Sequence, residues 1–188
     1  GSRMGRNPQP DGPLDGGDDV ARLDGGLLSG RTQRADRATI AGHIAAPQRF
    51  AWSMGAPWIA LGSFAPDFKA VGPGRLVALS ASGGQVTASV DLPLARNCVT
   101  LAQLDATALV AACQGSFAKG ANQLAQSALV VVRQAPVGHA VTTLADANSD
   151  TGPWSRDLAV VDSSVFAVGL GDFDSGRPDT LWRIDGQS

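Results

Sequence analysis

The sequence has little charge. Asp, Glu, Lys and Arg make up 17% of its 188 residues, well under the roughly 25% of ordinary soluble domains. The net charge of -2 offers no whole-chain attraction to nucleic acid or to an anionic membrane surface. No apolar run approaches the roughly 18 residues of a membrane-spanning helix, and the longest, such as Ala128 to Val132, have the length of a strand. The short motifs that carry most recognisable chemistry are also missing: no GxSxG nucleophile elbow, no HExxH, no P-loop and no GxGxxG opening a helix. Cys98 and Cys113 are the only cysteines, and no CxxC occurs. With His43 and His139 at unrelated strand positions, a zinc site has no basis, and each histidine reads as a surface or satisfied strand residue.

What is present is turn chemistry around short apolar runs. The chain is 44% apolar and holds 23 glycines and 11 prolines, a balance that favours many turns and short strands over long helices. Gly1-Ser2-Arg3-Met4 reads as a protease-site and cloning remnant, so a signal peptide is neither expected nor excluded. Residues Gly5 to Asp19 lack periodicity and are dominated by Gly, Pro and Asp, the composition of a solvated linker. The folded part is expected from Val20 to Ser188.

Internal repetition decides the fold class. A Gly-[Ser/Asp]-Phe signature recurs at Gly62-Ser63-Phe64, Gly115-Ser116-Phe117 and Gly171-Asp172-Phe173, with glycines 53 and 56 residues apart. Each follows an apolar strand (Trp58 to Leu61, Ala108 to Cys113, Val165 to Val168). After a loop, each precedes another strand (Arg75 to Leu79, Ala128 to Val132, Thr180 to Ile184). Inner strands are expected at Phe50 to Ser53, Cys98 to Leu101 and Leu158 to Val161, and outer ones at Ala38 to Ala45, Gln85 to Asp91 and His139 to Leu144. Val20 to Gly25 echoes Leu181 to Gly186, as if the chain opened partway through a preceding repeat. Four antiparallel strands per unit of about 53 residues is the dimension of a β-propeller blade. The reading is therefore an all-β propeller of about three four-stranded antiparallel blades. Closed propellers have about four to eight, so a second polypeptide or a homo-oligomer is expected to supply the rest of the ring.

The cysteines fall in the first two strands of the middle unit. A hairpin turning around Asp105-Ala106-Thr107 sets Cys98 opposite Cys113, close enough for a disulfide in an antiparallel pair. Such a bond implies an oxidising compartment; the alternative is two buried thiols of a cytosolic protein. An arginine stands before each inner strand: Arg49, Arg96 and Arg156, the last two followed by Asn97 and Asp157. Inner strands line a propeller's channel, so these guanidiniums would favour an anionic ligand at one mouth, unless each pairs with a neighbouring blade or caps a loop. Asp172, Asp174 and Asp179 share one glycine-containing loop that either holds Ca²⁺ or is shaped by Asx turns; the EF-hand order is absent.

The runs Arg96-Asn97-Cys98-Val99-Thr100-Leu101, Leu109-Val110-Ala111-Ala112-Cys113 and Gly171 to Asp179 resemble exported bacterial β-propeller lipoproteins, loosely of the lactonase-like class. The resemblance covers roughly residues 38–185 and implies a propeller in the cell envelope: periplasmic, anchored in the outer membrane or secreted. It supplies no catalytic residue, and the Glu/Asn metal-ligand set of a propeller lactonase has no match here. The functional expectation is a non-enzymatic binding or scaffolding module without a cofactor. One alternative is a metal-dependent, lactonase-like hydrolase with its site at the propeller axis. The other is an oligomeric lectin, which needs stacking platforms from Trp52, Trp58, Trp154 or Trp182.

Overall fold

The structure, a computed structural model, describes residues 23–24, 27–28, 44–67, 69–82 and 85–187. Gly1–Met4, read as a cloning remnant, Gly5–Asp19, read as a linker, His43 and most of the outer strand expected at Ala38–Ala45 lie outside the described residues. Of the partial repeat expected from Val20, the short strand β1 (Leu23–Asp24) pairs with β2 (Leu27–Leu28).

The remaining strands form three antiparallel meanders. The first sheet has the order β3 (Ile44–Ser53), β4 (Ala56–Phe64), β5 (Pro73–Leu79) and β6 (Val86–Arg96). The second has β7 (Cys98–Asp105), β8 (Ala108–Gln114), β9 (Ser127–Gln134) and β10 (His139–Asp146), with one helical turn, α1 (Ala121–Leu124), between β8 and β9. The third has three strands: β11 (Trp154–Val161), β12 (Ser164–Gly169) and β13 (Thr180–Asp185). The chain is all-β, with sheets of four, four and three strands. No closed ring is seen among the described residues.

Local chemistry explains the hairpins. Met54 and Gly55 join β3 to β4 with φ of 50° and 73°, and Asp162 and Ser163 join β11 to β12 with φ of 48° and 63°. Two positive φ angles in a two-residue loop match the right-handed twist of the strands they connect. Asn97 alone separates β6 from β7 and also has positive φ, 51°. Asparagine tolerates that region better than most side chains, so the chain turns there from one sheet into the next.

The sheets pack face to face. Trp58, Ala60, Leu76 and Leu92 of the first sheet form one core with Leu101, Leu109, Ala111 and Val130 of the second. The other face of the second sheet (Leu104, Val110, Leu129, Val131) packs on Trp154, Val165 and Ala167 of the third. Both faces of β8 are thus covered, and its residues Ala108 to Cys113 are all 0% exposed. That is why this strand reads as an uninterrupted apolar run rather than an alternating one. The first strands lie side by side, β3 against β7 and β7 against β11.

Buried polar groups stitch the sheets. Ser53 Oγ donates to the Ala108 carbonyl across the first boundary, at 3.2 Å. At the second, Ser127 Oγ donates to the Cys113 carbonyl (2.8 Å) and accepts from the Trp154 N–H (2.9 Å). Ser127→Ala strands both partners without water, and each buried unsatisfied group is worth about 1–3 kcal/mol. A loss of at least about 2 kcal/mol is expected in denaturant unfolding, against less than about 0.5 kcal/mol for the exposed control Ser89→Ala.

Two sequence expectations shift. Ile44 and Ala45, expected in an outer strand, open β3 and pair with Phe64 and Ser63. The reason is that β4 runs three residues past Leu61, so Gly62-Ser63-Phe64 is strand, and its backbone holds β3 in register further back. In the second and third sheets the signature follows the strand and lies in a loop, with Gly115 at φ 82°.

Candidate functional site

In an antiparallel meander the loop after the second strand and the start of the first strand share one end of the sheet. Loops 65–72, 115–126 and 170–179 and the connections at Asn97 and 147–153 therefore build one rim. The rim is continuous between sheets. The rings of Phe64 and Phe117 stack with centroids 5.9 Å apart. The backbone N–H of Arg96 donates to the Gln126 carbonyl, and that of Gly115 to the Arg96 carbonyl, each at 3.0 Å. From the second sheet to the third, Lys119 Nζ reaches Asp174 Oδ2 at 2.8 Å and Asp172 Oδ1 at 3.8 Å.

Loops 147–153 and 170–179 are locked together by glycine and arginine. A Cβ on Gly152, which has φ of 67°, would meet the Leu170 carbonyl, and one on Gly169 would meet that of Thr151. Only glycine lets the two backbones approach so closely. Arg177 then donates to the carbonyls of Ser149 and Leu170. Asn148 shapes its own loop, its Oδ1 accepting from the N–H groups of Asp150 and Thr151, an Asx turn.

Between loops 115–126 and 170–179 lies an open cleft of about 970 Å³, lined among others by Phe117, Lys119, Asp172, Phe173, Arg177 and Asp179. Phe173, at its edge, is 96% exposed. Hydrogen bonding from Ser175, then from the Asp174 N–H, with the nearby charges of Lys119 and Arg177, holds the Asp172 carboxyl below its ordinary range despite some desolvation. Asp174, by hydrogen bond and charge, holds the Lys119 ammonium above its ordinary value. Both groups stay charged across neutral pH. His139, at the start of β10, lies at the opposite end of its sheet and meets Trp58 edge-on at 5.1 Å. No imidazole among the described residues therefore stands beside a cleft serine as a base.

The candidate calcium ligands are engaged by protein. Asp179 Oδ1 accepts from the Gly171 N–H at 2.7 Å, Asp172 Oδ1 from the Asp174 N–H at 3.2 Å, and Asp174 is taken by Lys119. Among the described residues no three His, Cys, Asp or Glu side chains are arranged to hold a metal ion. The arginines stand at different levels. Arg49 lies inside β3 opposite Ala60 and is exposed; Arg156 is exposed in β11 beside its register shift; Arg96 ends β6 and donates from Nη1 to the Val71 carbonyl at 2.7 Å. Asn97 is 6% exposed, its side chain donating to Gln114 Oε1 and its carbonyl accepting from the Gln114 N–H. Asp157 accepts from Ser155 Oγ at 3.3 Å. Of the tryptophans, Trp58 and Trp154 are core, Trp182 packs on the second core, and Trp52 is 56% exposed. The signature drew attention to Phe117 and Phe173. The repeat puts Lys119 and Asp174, 55 residues apart, at comparable places in successive signature loops, but spacing alone does not show that the two loops meet.

The disulfide is present: Cys98 and Cys113 face each other in register and are bonded. Both are fully buried, and a Cβ on Gly74 of the first sheet would strike the Cys98 sulfur. Among the described residues no helix is long and apolar enough to cross a membrane. Comparison of the chain with protein-family models, with curated proteins and with solved structures finds no match in any of the three.

Proposed function

We propose that the chain is a non-enzymatic binding or scaffolding module of β-propeller type, working outside the cytosol in a bacterial envelope together with further blades. The observation that carries the reading is the rim. Three meanders fan out with their first strands adjacent, and their recurrent loops join into one continuous surface with a cleft and an exposed aromatic. Such a surface presents apolar rings between pairs of charges that already neutralise each other, which suits holding a partner more than activating a substrate. Arg49 and Arg156, exposed on the first strands of the first and third sheets, favour an anionic ligand on the channel side of a propeller. The buried disulfide fits an oxidising compartment.

The test is an activity screen of the folded chain on lactones and carboxylic esters with saturating Ca²⁺. Hydrolysis is expected to stay at the buffer rate. Turnover that disappears on Asp172→Asn would overturn the non-enzymatic reading in favour of the lactonase-like one.

A further inference from the structure

The cleft between loops 115–126 and 170–179 is internal to the chain, and neither of its walls is a sheet edge. It is also held in shape. Phe117, on one wall, stacks on Phe64 of the first sheet. Arg177 fixes the other wall by donating to the Ser149 and Leu170 carbonyls. Lys119 bridges the two walls to Asp174 at 2.8 Å. A site formed before its ligand arrives loses little to ordering when it binds.

Two kinds of surface meet there. Phe117 and Phe173 are 47% and 96% exposed, and Leu124, Pro153, Leu170 and Pro178 add apolar lining. The charges do not balance. Lys119 is held by Asp174 and Asp172, and both Nη groups of Arg177, which lies near Asp172, are taken by backbone carbonyls. Against these two cations stand three carboxylates, and the surplus falls on Asp179. Its Oδ1 accepts from the Gly171 N–H, while its Oδ2 has no partner among the described residues. The cleft therefore offers an anionic acceptor beside exposed rings, with its own charged donors already engaged.

That combination selects a side chain with an aliphatic stem and a cationic head. Lysine and arginine lay the stem on apolar surface and carry the head to a carboxylate, and a cation gains further from a nearby aromatic face. A neutral sugar would also stack on the rings, but its hydroxyls need donors as well as acceptors. One side chain fills only part of about 970 Å³, which lies at the upper end of the roughly 300–1,000 Å³ of ligand pockets. The rest has room for the residues on either side.

We propose that the cleft binds a short extended segment of a partner protein that places one lysine or arginine at Asp179, with apolar neighbours against Phe117 and Phe173. This rests on the reading of the rim as a binding surface and gives the partner its chemistry.

Selection from a random heptapeptide library displayed on phage, against the folded chain, tests this. The enriched peptides are expected to share a Lys or Arg beside apolar residues, and a synthetic copy is expected to bind in solution by fluorescence polarisation. Asp179→Asn keeps an oxygen for the Gly171 N–H and removes the charge, so affinity for that peptide is expected to fall about tenfold. Phe173→Ala removes a ring that fills no core and is expected to cost a similar factor, whereas Phe50→Ala, at a residue 75% exposed on the first sheet, leaves binding unchanged. Unaltered unfolding midpoints show that the variants fold. No enrichment, an acidic consensus, or a basic peptide that binds Asp179→Asn as tightly as the parent overturns the proposal. So does a neutral oligosaccharide that binds in the peptide's place and needs Phe173 but not Asp179. The hydrolysis screen reads something else. Lactone turnover with peptide binding intact would overturn the non-enzymatic reading and keep this site, while a failed selection without turnover would strike this site and leave that reading.

Discussion

Replacing Trp154 with alanine is expected to lower stability by about 3–5 kcal/mol, the usual range for removing a buried Trp. Trp154 is 1% exposed and among the largest side chains of the core between the second and third sheets. Its surroundings are themselves held. Val110 and Val131 come from strands paired on both sides, and the Trp154 backbone is tied to Ser127. The space left by the indole cannot collapse, so the full cavity term is expected. Because small domains are stable by only about 5–15 kcal/mol, the variant should sit near the edge of folding at 37 °C. Trp154→Phe separates volume from polarity. The indole N–H meets no acceptor among the described residues, so phenylalanine removes an unsatisfied donor while keeping much of the ring. It is expected to cost roughly half as much as alanine. Guanidinium unfolding followed by circular dichroism measures both. Equal losses for Phe and Ala would show that the N–H is satisfied in solution; no loss for Ala would show that the third sheet does not pack on the second.

The strands were legible because their burial is legible. Alternation and short apolar runs between Gly and Pro placed the cores of β4, β5, β7, β8, β9, β10, β12 and β13, and their antiparallel order followed from short connections. Boundaries were less legible, since they depend on what lies opposite. β3 extends back to Ile44 because β4 extends forward to Phe64, and neither fact is written locally. The repeated signature was real as sequence but not uniform as structure. Gly62 belongs to a ladder, while Gly115 turns a loop at positive φ. The rim was legible only in its aromatics. Lys119 with Asp174 and Arg177 with Ser149 are partners set by how one sheet stacks on another; the repeat period separates Lys119 from Asp174, yet it does not say that the two loops touch. Arg96 illustrates the converse. A guanidinium next to an inner strand looked available, yet its place at the sheet junction puts a backbone carbonyl within 2.7 Å.

A hairpin turning around Asp105-Ala106-Thr107 sets Cys98 opposite Cys113, and the register holds for a reason that the turn alone does not contain. The turn is Ala106-Thr107 and Asp105 faces Ala108; that register, continued unbroken, would set Cys98 one or two residues away from Cys113. Two irregularities, one between Cys98 and Thr100 and one between Gln103 and Asp105, move the register back until the cysteines are opposite. The bond therefore closes a hairpin whose ladder is already interrupted near both ends, where backbone pairing alone is weakest. Removing it as Cys98→Ala with Cys113→Ala is expected to lower stability by about 3 kcal/mol, the chain-entropy estimate for a loop of roughly 15 residues. In a chain of this size that corresponds to a fall in Tm of about 6–12 °C. Serine at both positions should cost more, because two hydroxyls would be buried where the fully buried disulfide now sits, with the Cys98 sulfur against Gly74. Thiol counting supplies the independent check. Unfolded, unreduced protein should show no free thiol and reduced protein two, and in the native state reductant should act only through unfolding, since both cysteines are 0% exposed. Two thiols without reduction, or an Ala/Ala variant as stable as the parent, would remove the bond from the fold and with it the main support for an oxidising compartment.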